Sequence, residues 1–311
     1  MISSDHFFVK NLDDVDFAYS SNYLFNKIDF QKFHHAKKRL VFGYQPLDKI
    51  EAICCVGIEG KEAYSNYHLP FGGIDEGKEL SEEEIDFFLE FVYAELKKIG
   101  VTSLILTLFP EAYQPSLYQF QKKKLLAMGG QVKLKEENYH IEVKDTSLTS
   151  KFSKGRLHGY RKCEKLGVKA SRLTHSFLSE AYRIIETCHA ASNYPVTMSL
   201  EQLKKSFNQF PDHYHLYGVH HENKLIAVSV VVEVHEKIVY TAYNGDDYEY
   251  RPYSPLVFLH NYLYDEAKNK GVEIIDLGLA TAKGTVNEGL KAFKKSIGGI
   301  KSPKEVISIS F

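Results

Sequence analysis

The chain of 311 residues has no tryptophan, only four cysteines and three methionines, and no surplus of either charge. Each shortage excludes something. Four cysteines at 54, 55, 163 and 188 are too few for a disulfide-dense scaffold, and they match no zinc-ligand spacing. Adjacent Cys54 and Cys55 on a strand would point to opposite faces, which suits buried thiols rather than a bridge. A reducing, cytoplasmic setting is the expectation. Lys and Arg total 39 against 40 Asp and Glu, a net charge of −1. Attraction of the whole molecule to nucleic acid or to an anionic membrane is therefore not supported, although a local patch remains open. Long hydrophobic runs are also missing. The stretch 225–232, broken only by Ser229, falls far short of the roughly 20 residues of a membrane helix. The opening MISSDHFFVKNLDDVDF has neither a basic n-region nor an apolar h-region, so no signal peptide is expected.

What is present is ordinary for a globular protein: 44% apolar and 25% charged residues. The length suits two domains or one large one.

The second half reads most easily. A strand is expected at 168–174. Helices follow at 177–191 and 200–210, parted by the breaker Asn193-Tyr194-Pro195. Three β-rich runs, 213–219, 225–234 and 237–243, are joined by short turns and predict an antiparallel meander. Ser254 caps a helix with Pro255 at its first position, and Gly271 ends it. A buried strand is expected at 272–277. Thr285 and Glu288 read as a capping box for a helix whose apolar face is Val286, Leu290, Phe293 and Ile297. Gly298-Gly299 stops that helix, and 304–310 is the last strand.

The first half repeats the order. Strands are expected at 39–44, 50–58 and 63–69. A helix capped by Ser81 and Glu84 carries Ile85, Phe88, Leu89, Val92, Leu96 and Ile99 on one stripe, ended by Gly100. A strand at 103–109, a helix at 115–128, the pair Gly129-Gly130 and a closing strand at 139–143 complete it. Meander, helix, strand, helix, glycine pair, strand thus occurs twice, which suggests a duplicated domain. The join is placed in the Ser-, Thr- and Lys-rich stretch 145–153, giving domains at 1–145 and 146–311. The other reading is two unrelated α+β domains with similar element order.

This order resembles the GNAT acyltransferase fold, and the tandem resembles the Fem-type peptidoglycan aminoacyltransferases and their CelD-like acetyltransferase relatives. The stretches that carry the resemblance are His68-Leu-Pro-Phe-Gly-Gly-Ile74, Tyr160-Arg-Lys-Cys-Glu-Lys-Leu-Gly167, Ser254-Pro255, Asp276-Leu-Gly278, Asn287-Glu-Gly-Leu290, Phe293-Lys294 and Ile297-Gly298. The implied fold class is α/β, with mixed sheets in two tandem GNAT-like domains. The implied activity is attack of an amine or hydroxyl on an activated acyl group, with acyl-CoA or aminoacyl-tRNA as donor and a small-molecule or peptide-like acceptor. Acetyl-CoA or another acyl-CoA is the cofactor that the fold would imply.

The resemblance places the acyl group in a notch between 240–244 and 274–278, where backbone N–H groups can stabilise an oxyanion. Tyr243, Asn244, Asp276 and Lys294 become the catalytic candidates. Arg251, Ser254, Asn287, Lys291, Arg161 and Lys165 become donor contacts. Pro70, Phe71, Gly72 and Gly73 become an acceptor lining. Asp276 reads equally well as a group that orients the amine and as strand-end polarity.

Two features depart from the GNAT pattern. The loop before the central helix, 244–254, is acidic and holds one glycine and one cation where a glycine-rich pyrophosphate loop is expected. Lys294 stands where the pattern has a tyrosine, although Phe-Lys recurs in the Fem-type pattern. The first domain reads as degenerate. The alternative from another class is a non-catalytic GNAT-like module that binds a nucleotide or a protein.

The segment 151–172 holds eight Lys or Arg residues against Glu164 alone. It reads either as a phosphate-binding surface or as a solvated helix. The stretch 72–78 matches G-x-x-x-x-G-K, but the Ser or Thr that would hold magnesium is absent and the acids Asp75, Glu76 and Glu79 would repel phosphate. Histidine pairs at 34/35, 213/215 and 220/221 lack the partners of a zinc site, so no metal is expected. Cys188 and His189 are helical neighbours that cannot face each other, and no G-x-S-x-G elbow occurs.

Overall fold

The computed structural model describes residues 2–17, 19–33, 38–65, 67, 69–77, 79–191 and 196–311. The His34/His35 pair, His68, Lys78 and the breaker Asn193-Tyr194-Pro195 lie outside the described residues.

In chain order the elements are β1 (Phe7–Asn11), α1 (Ile28–Phe33), β2 (Arg39–Tyr44), β3 (Ala52–Glu59), β4 (Glu62–Ser65), β5 (Ile74–Glu76), α2 (Glu82–Lys98), β6 (Ser103–Thr107), α3 (Pro115–Ala127) and β7 (Gln131–Glu142). Then come α4 (Lys154–Lys165), β8 (Lys169–Leu173), α5 (Leu178–Ala191), α6 (Leu200–Gln209), β9 (Tyr214–His221), β10 (Lys224–His235) and β11 (Ile238–Asp246). Last are α7 (Pro255–Asn269), β12 (Ile274–Leu279), the two-residue strands β13 (Thr281–Ala282) and β14 (Thr285–Val286), α8 (Glu288–Ser296) and β15 (Ile300–Ser310).

The chain forms two compact units. Unit 1 is Met1–Glu137 with Ser302–Phe311, and unit 2 is Asn138–Lys301. Within unit 1 the strands lie in the order β1-β2-β3-β4-β6-β15, with β5 also on β3. All neighbours are antiparallel except β4 and β6, which are parallel. Within unit 2 the order is β8-β9-β10-β11-β12-β7, and β11 with β12 is the parallel pair. A meander, a helical crossover to a parallel neighbour, a second helix and an antiparallel closing strand therefore occur twice, which is the mixed α/β GNAT arrangement.

The closing strands differ from expectation. Residues 139–143 were assigned to the first half and 304–310 to the second. Instead Asn138–Glu142 of β7 lie on β12, in unit 2, and Val306–Ser310 of β15 lie on β6, in unit 1. The local pattern identifies a half-buried strand but carries no information on its partner, because pairing depends on where the chain runs.

Local chemistry accounts for the helices. Ser81 and Glu84 close a full capping box on α2, three acids fill its first turn, and Lys97 and Lys98 lie in its last, complementing the helix dipole. Ile85, Phe88, Leu89, Val92 and Leu96 bury one face, each contributing about 1.5–3 kcal/mol of transfer free energy. The α7 helix starts with Pro255 at its first position and buries Val257, Leu259, Leu263, Tyr264 and Ala267. Its chain leaves through Gly271, at φ +73°.

Some local expectations change. The cap of α8 is Asn287, whose Oδ1 accepts the Leu290 N–H at 2.9 Å, while Thr285 pairs with Ala282 in a small hairpin. Ser254 stands at the N-cap of α7 but its side chain makes no capping bond. Of the strand expected at 63–69, the part to Ser65 is in β4 and positions 66 and 68 lie outside the described residues, and β11 runs on through Asn244, Gly245 and Asp246. The elements β1 and α1 were not anticipated.

Candidate active site

The site is built on a parting of strands in unit 2. β11 and β12 pair in parallel at three rungs, Ile238↔Ile274, Val239↔Ile275 and Tyr240↔Asp276. Both strands continue past the third rung, to Asp246 and Leu279, but no longer on each other. A bulge in each strand accompanies the parting. On β11, Tyr243 pairs with Val230 and Thr241 with Val231, so Ala242 is the extra residue. On β12, Asp276 pairs with His140 and Gly278 with Tyr139, so Leu277 is extra. Bulges increase local twist and re-aim side chains. Gly278 lies at φ +74° with a Cβ position 3.0 Å from the Tyr240 ring, so glycine is the residue that fits there.

The β11 bulge sends Tyr243 and Thr241 to different faces. The Tyr243 hydroxyl lies 2.6 Å from Thr197 Oγ1, with its ring 6.1 Å from that of His189. Thr241 donates to the Asp276 carbonyl at 3.1 Å. The neighbouring rung pairs Asn244 with Ser229 of β10. Asn244 Nδ2 makes a long contact of 3.4 Å to the Thr241 carbonyl. Its Oδ1 and the Ser229 Oγ are both buried with no hydrogen-bond partner among the described residues. A buried polar atom left unpaired costs about 1–3 kcal/mol, and this rung carries two, an unused acceptor and a hydroxyl. Sequence reasoning missed Ser229. Its signal was the single polar residue in the apolar run of β10.

Asp276 and Lys294 meet at the end of β12. Asp276 is 3% exposed. Its Oδ1 accepts from Asn138 Nδ2 at 2.8 Å and from the Gly278 N–H at 2.7 Å, which pins the bulge. Lys294 is 5% exposed and donates to the Gly278 carbonyl at 2.8 Å and to the Leu279 carbonyl. Burial draws its pKa down to about 7, with the Asp276 charge pulling the other way. The fully enclosed His260 nearby is driven to about 4 by burial first, and the Lys294 charge adds to that. Lys294 is thus a cation held at the notch by two backbone carbonyls, within the field of the Asp276 charge, and it is ready to lose its proton near neutrality.

The expected donor contacts are dispersed. Arg251 is occupied: its Nε bonds Asp246 Oδ1 at 2.9 Å and its Nη2 donates to Cys188 Sγ at 3.2 Å. Ser254 lies in the left-handed region at φ 56°. The Val257 and Phe258 N–H groups are both taken by the Ser254 carbonyl, and Pro255 has none. Gly159 of α4 presses on Ser254, and a Cβ there would stand 2.3 Å from Ser254 Oγ. The Val257 and Phe258 amides at the start of α7 are therefore already used, and Gly159 crowds Ser254. Asn287 spends its side chain on the α8 cap. Lys291 pairs with Glu288 at 3.4 Å.

Arg161 and Lys165 are exposed on α4. With Lys154 and His158 they recur at helical spacing, and among the described residues none of these four has an ion-pair partner. The helix itself is fastened by Arg156, which donates to Ser296 Oγ at 2.9 Å and lies 5.1 Å above the Phe293 ring.

The other candidates resolve simply. Phe71, Gly72 and Gly73 are buried inside unit 1 and Pro70 is half-buried, so the first three present no lining surface. His213 Nδ1 lies 2.9 Å from the Glu233 carbonyl, and His215 bridges Arg172 and Glu233. No group of three potential metal ligands occurs among the described residues, and no helix among them is long and apolar enough to cross a membrane.

Comparison with known proteins follows this geometry. A search of curated proteins finds no match. The FemAB family model matches residues 198–301, a span holding all the notch candidates but neither Arg161 nor Lys165. Among solved structures, that of FemX superposes with a TM-score of 0.67 at 12% identity, covering 87% of each chain. L-PGS from Bacillus licheniformis gives a TM-score of 0.56 at 12% identity, covering 83% of this chain and 80% of the other. The duplicated strand order and the FemX superposition give the chain a tandem GNAT-type fold, and residues 198–301 are similar to the FemAB family.

Proposed function

We propose that this chain transfers an acyl or aminoacyl group from an activated donor to an amine or hydroxyl, at the unit 2 notch. The observation that carries the reading is the parting of β11 and β12 with a buried, proton-labile lysine at its floor. In the reaction the nucleophile attacks the donor carbonyl carbon. A C–N or C–O bond forms, the donor's C–O or C–S bond breaks, and the nucleophile's proton passes to the leaving group. Lys294 places positive charge where the tetrahedral oxyanion develops and exchanges a proton near neutrality. Asp276 sets the position of Gly278 and Lys294. Asn244 and Ser229 offer the unpaired polar atoms that orient the acyl group, and Tyr243 borders the other side.

The crowding of Ser254 by Gly159 at the start of α7 and the engaged Arg251 favour an aminoacyl ester over an acyl-CoA. The polyanionic part of such a donor would lie along the Arg161 and Lys165 face of α4. The test is a transfer assay on the whole chain. It compares tRNA charged with labelled amino acids against labelled acetyl-CoA, with amine- and hydroxyl-bearing acceptors. Acceptor-dependent loss of label from tRNA, abolished by Lys294→Met, supports the reading. Transfer from acetyl-CoA would replace the donor. No transfer from either would leave a non-catalytic binding module as the better description.

A further inference from the structure

The two units share a strand pattern but differ where the parallel strands part. In unit 1, β4 and β6 make the same three rungs, Glu62↔Ser103, Ala63↔Leu104 and Tyr64↔Ile105. Two residues past the last rung of β12 stands Gly278, whose carbonyl takes the Lys294 ammonium. Two residues past the last rung of β6 stands Thr107, and both of its backbone groups are consumed by its own unit. Its N–H donates to Ser65 Oγ at 3.0 Å, and its carbonyl accepts the Gly72 N–H at 2.7 Å.

The chain between those contacts is packed in place. Phe71 is 2% exposed. Its ring centroid lies 5.2 Å from that of Phe25, 5.6 Å from Tyr113, 5.7 Å from Tyr23 and 6.3 Å from Phe109. Gly73 turns the segment out at φ +106°, and a Cβ there would meet Gln121 Oε1 at 2.9 Å. The chain then resumes pairing as β5, with Ile74, Asp75 and Glu76 opposite Cys54, Ile53 and Ala52 of β3. The exit is fixed too. The Asp75 carbonyl accepts from the Tyr19 hydroxyl at 2.8 Å, and its buried carboxylate accepts from Ser21 Oγ.

We propose that the segment 69–73 is a built-in plug that fills the unit 1 notch, so that each molecule offers one open notch, in unit 2, and unit 1 serves as a non-catalytic scaffold. The segment does what a ligand would do: a main-chain N–H pairs the free carbonyl of the parting strand and a ring fills the space beside it. This goes beyond the transfer reading and does not depend on it.

Amide hydrogen exchange on the unaltered full chain decides the point. The Gly72 and Thr107 amides should be protected with the β6 core, exchanging at least about a hundredfold slower than exposed loop amides. Exchange of either at loop rates would overturn the plug. A second test uses the absence of tryptophan. Phe71→Trp gives a single fluorophore, expected to emit to the blue and to resist acrylamide, with or without charged tRNA or acetyl-CoA. Quenching as efficient as that of free tryptophan, or exposure on adding either donor, would overturn the proposal. If the Trp variant does not fold, the exchange result on the unaltered chain stands alone. Neither readout needs activity, so failure of the plug and failure of the transfer reading remain distinct.

Discussion

Replacing Lys294 by Met should alter how stability responds to pH, by an amount fixed by the buried charge. In the folded chain burial sets the lysine pKa at about 7, against an ordinary value of 10.5. Between those values the unfolded chain holds a proton that the folded chain has released, so folding stability rises with pH in that window. Below pH 7 both states are protonated and the folded state bears the whole cost of the buried ammonium. Integrating between pH 6 and pH 9 gives close to two pK units, or about 2.5 kcal/mol of added stability. Lys294→Met removes this gain along with two charge-assisted hydrogen bonds, worth about 1.5–3 kcal/mol each. The part of their worth that depends on the ammonium's charge is already contained in the folded pKa, and the rest cancels in the comparison. Urea unfolding of both proteins at pH 6 and pH 9 measures the double difference, and titrations of groups that do not sense Lys294 cancel as well. A value near 2.5 kcal/mol, with the parent gaining on the alkaline side, is expected. A double difference below about 0.5 kcal/mol, within the error of extrapolation, would refute the reasoning.

Three further outcomes follow from the geometry. Gly159→Ala should destabilise by about 1–3 kcal/mol, because its Cβ collides with Ser254, whereas Gly155→Ala on the same helix meets nothing within 4 Å and should stabilise by up to about 1 kcal/mol; thermal melts of the pair decide. Asp276→Ala should lower the melting temperature by several degrees, since it strips a buried partner from Asn138 and from the Gly278 N–H, a loss of about 2–4 kcal/mol. His215 and Lys270 hold the Glu233 carboxyl at about 2, below its ordinary 4.5. Its stabilisation is therefore present above pH 4.5 and lost as pH falls through about 2, and Glu233→Gln should flatten acid unfolding across that window.

How much of this was legible in the sequence depends on range. Features written within one turn of chain were legible. Ser81 with Glu84, Pro255 at a helix start and the glycines ending α3 and α8 are local rules of sterics and hydrogen bonding, and the structure has them. The repeated order of elements was legible too, since hydrophobic periodicity switches between 2 and 3.6 at each boundary. The exchange of closing strands was not, because β7 and β15 are both alternating strands and nothing local names a partner. Ser65 Oγ takes the Thr107 N–H, a contact that no window around Ser65 contains. At the site, Asp276 and Lys294 were found by likeness of pattern. Ser229 became visible only through the rung it shares with Asn244, and the crowding of Ser254 only through Gly159, far away in sequence.

The most direct test of the central claim is a calorimetric titration of the whole chain with a non-hydrolysable aminoacyl-tRNA analogue and, separately, with coenzyme A, each repeated on Asp276→Asn and Lys294→Met. The account predicts saturable binding of the analogue, weakened at least about tenfold in both variants, and none of coenzyme A. Binding of coenzyme A by the parent, or binding of the analogue that both variants leave untouched, would contradict it.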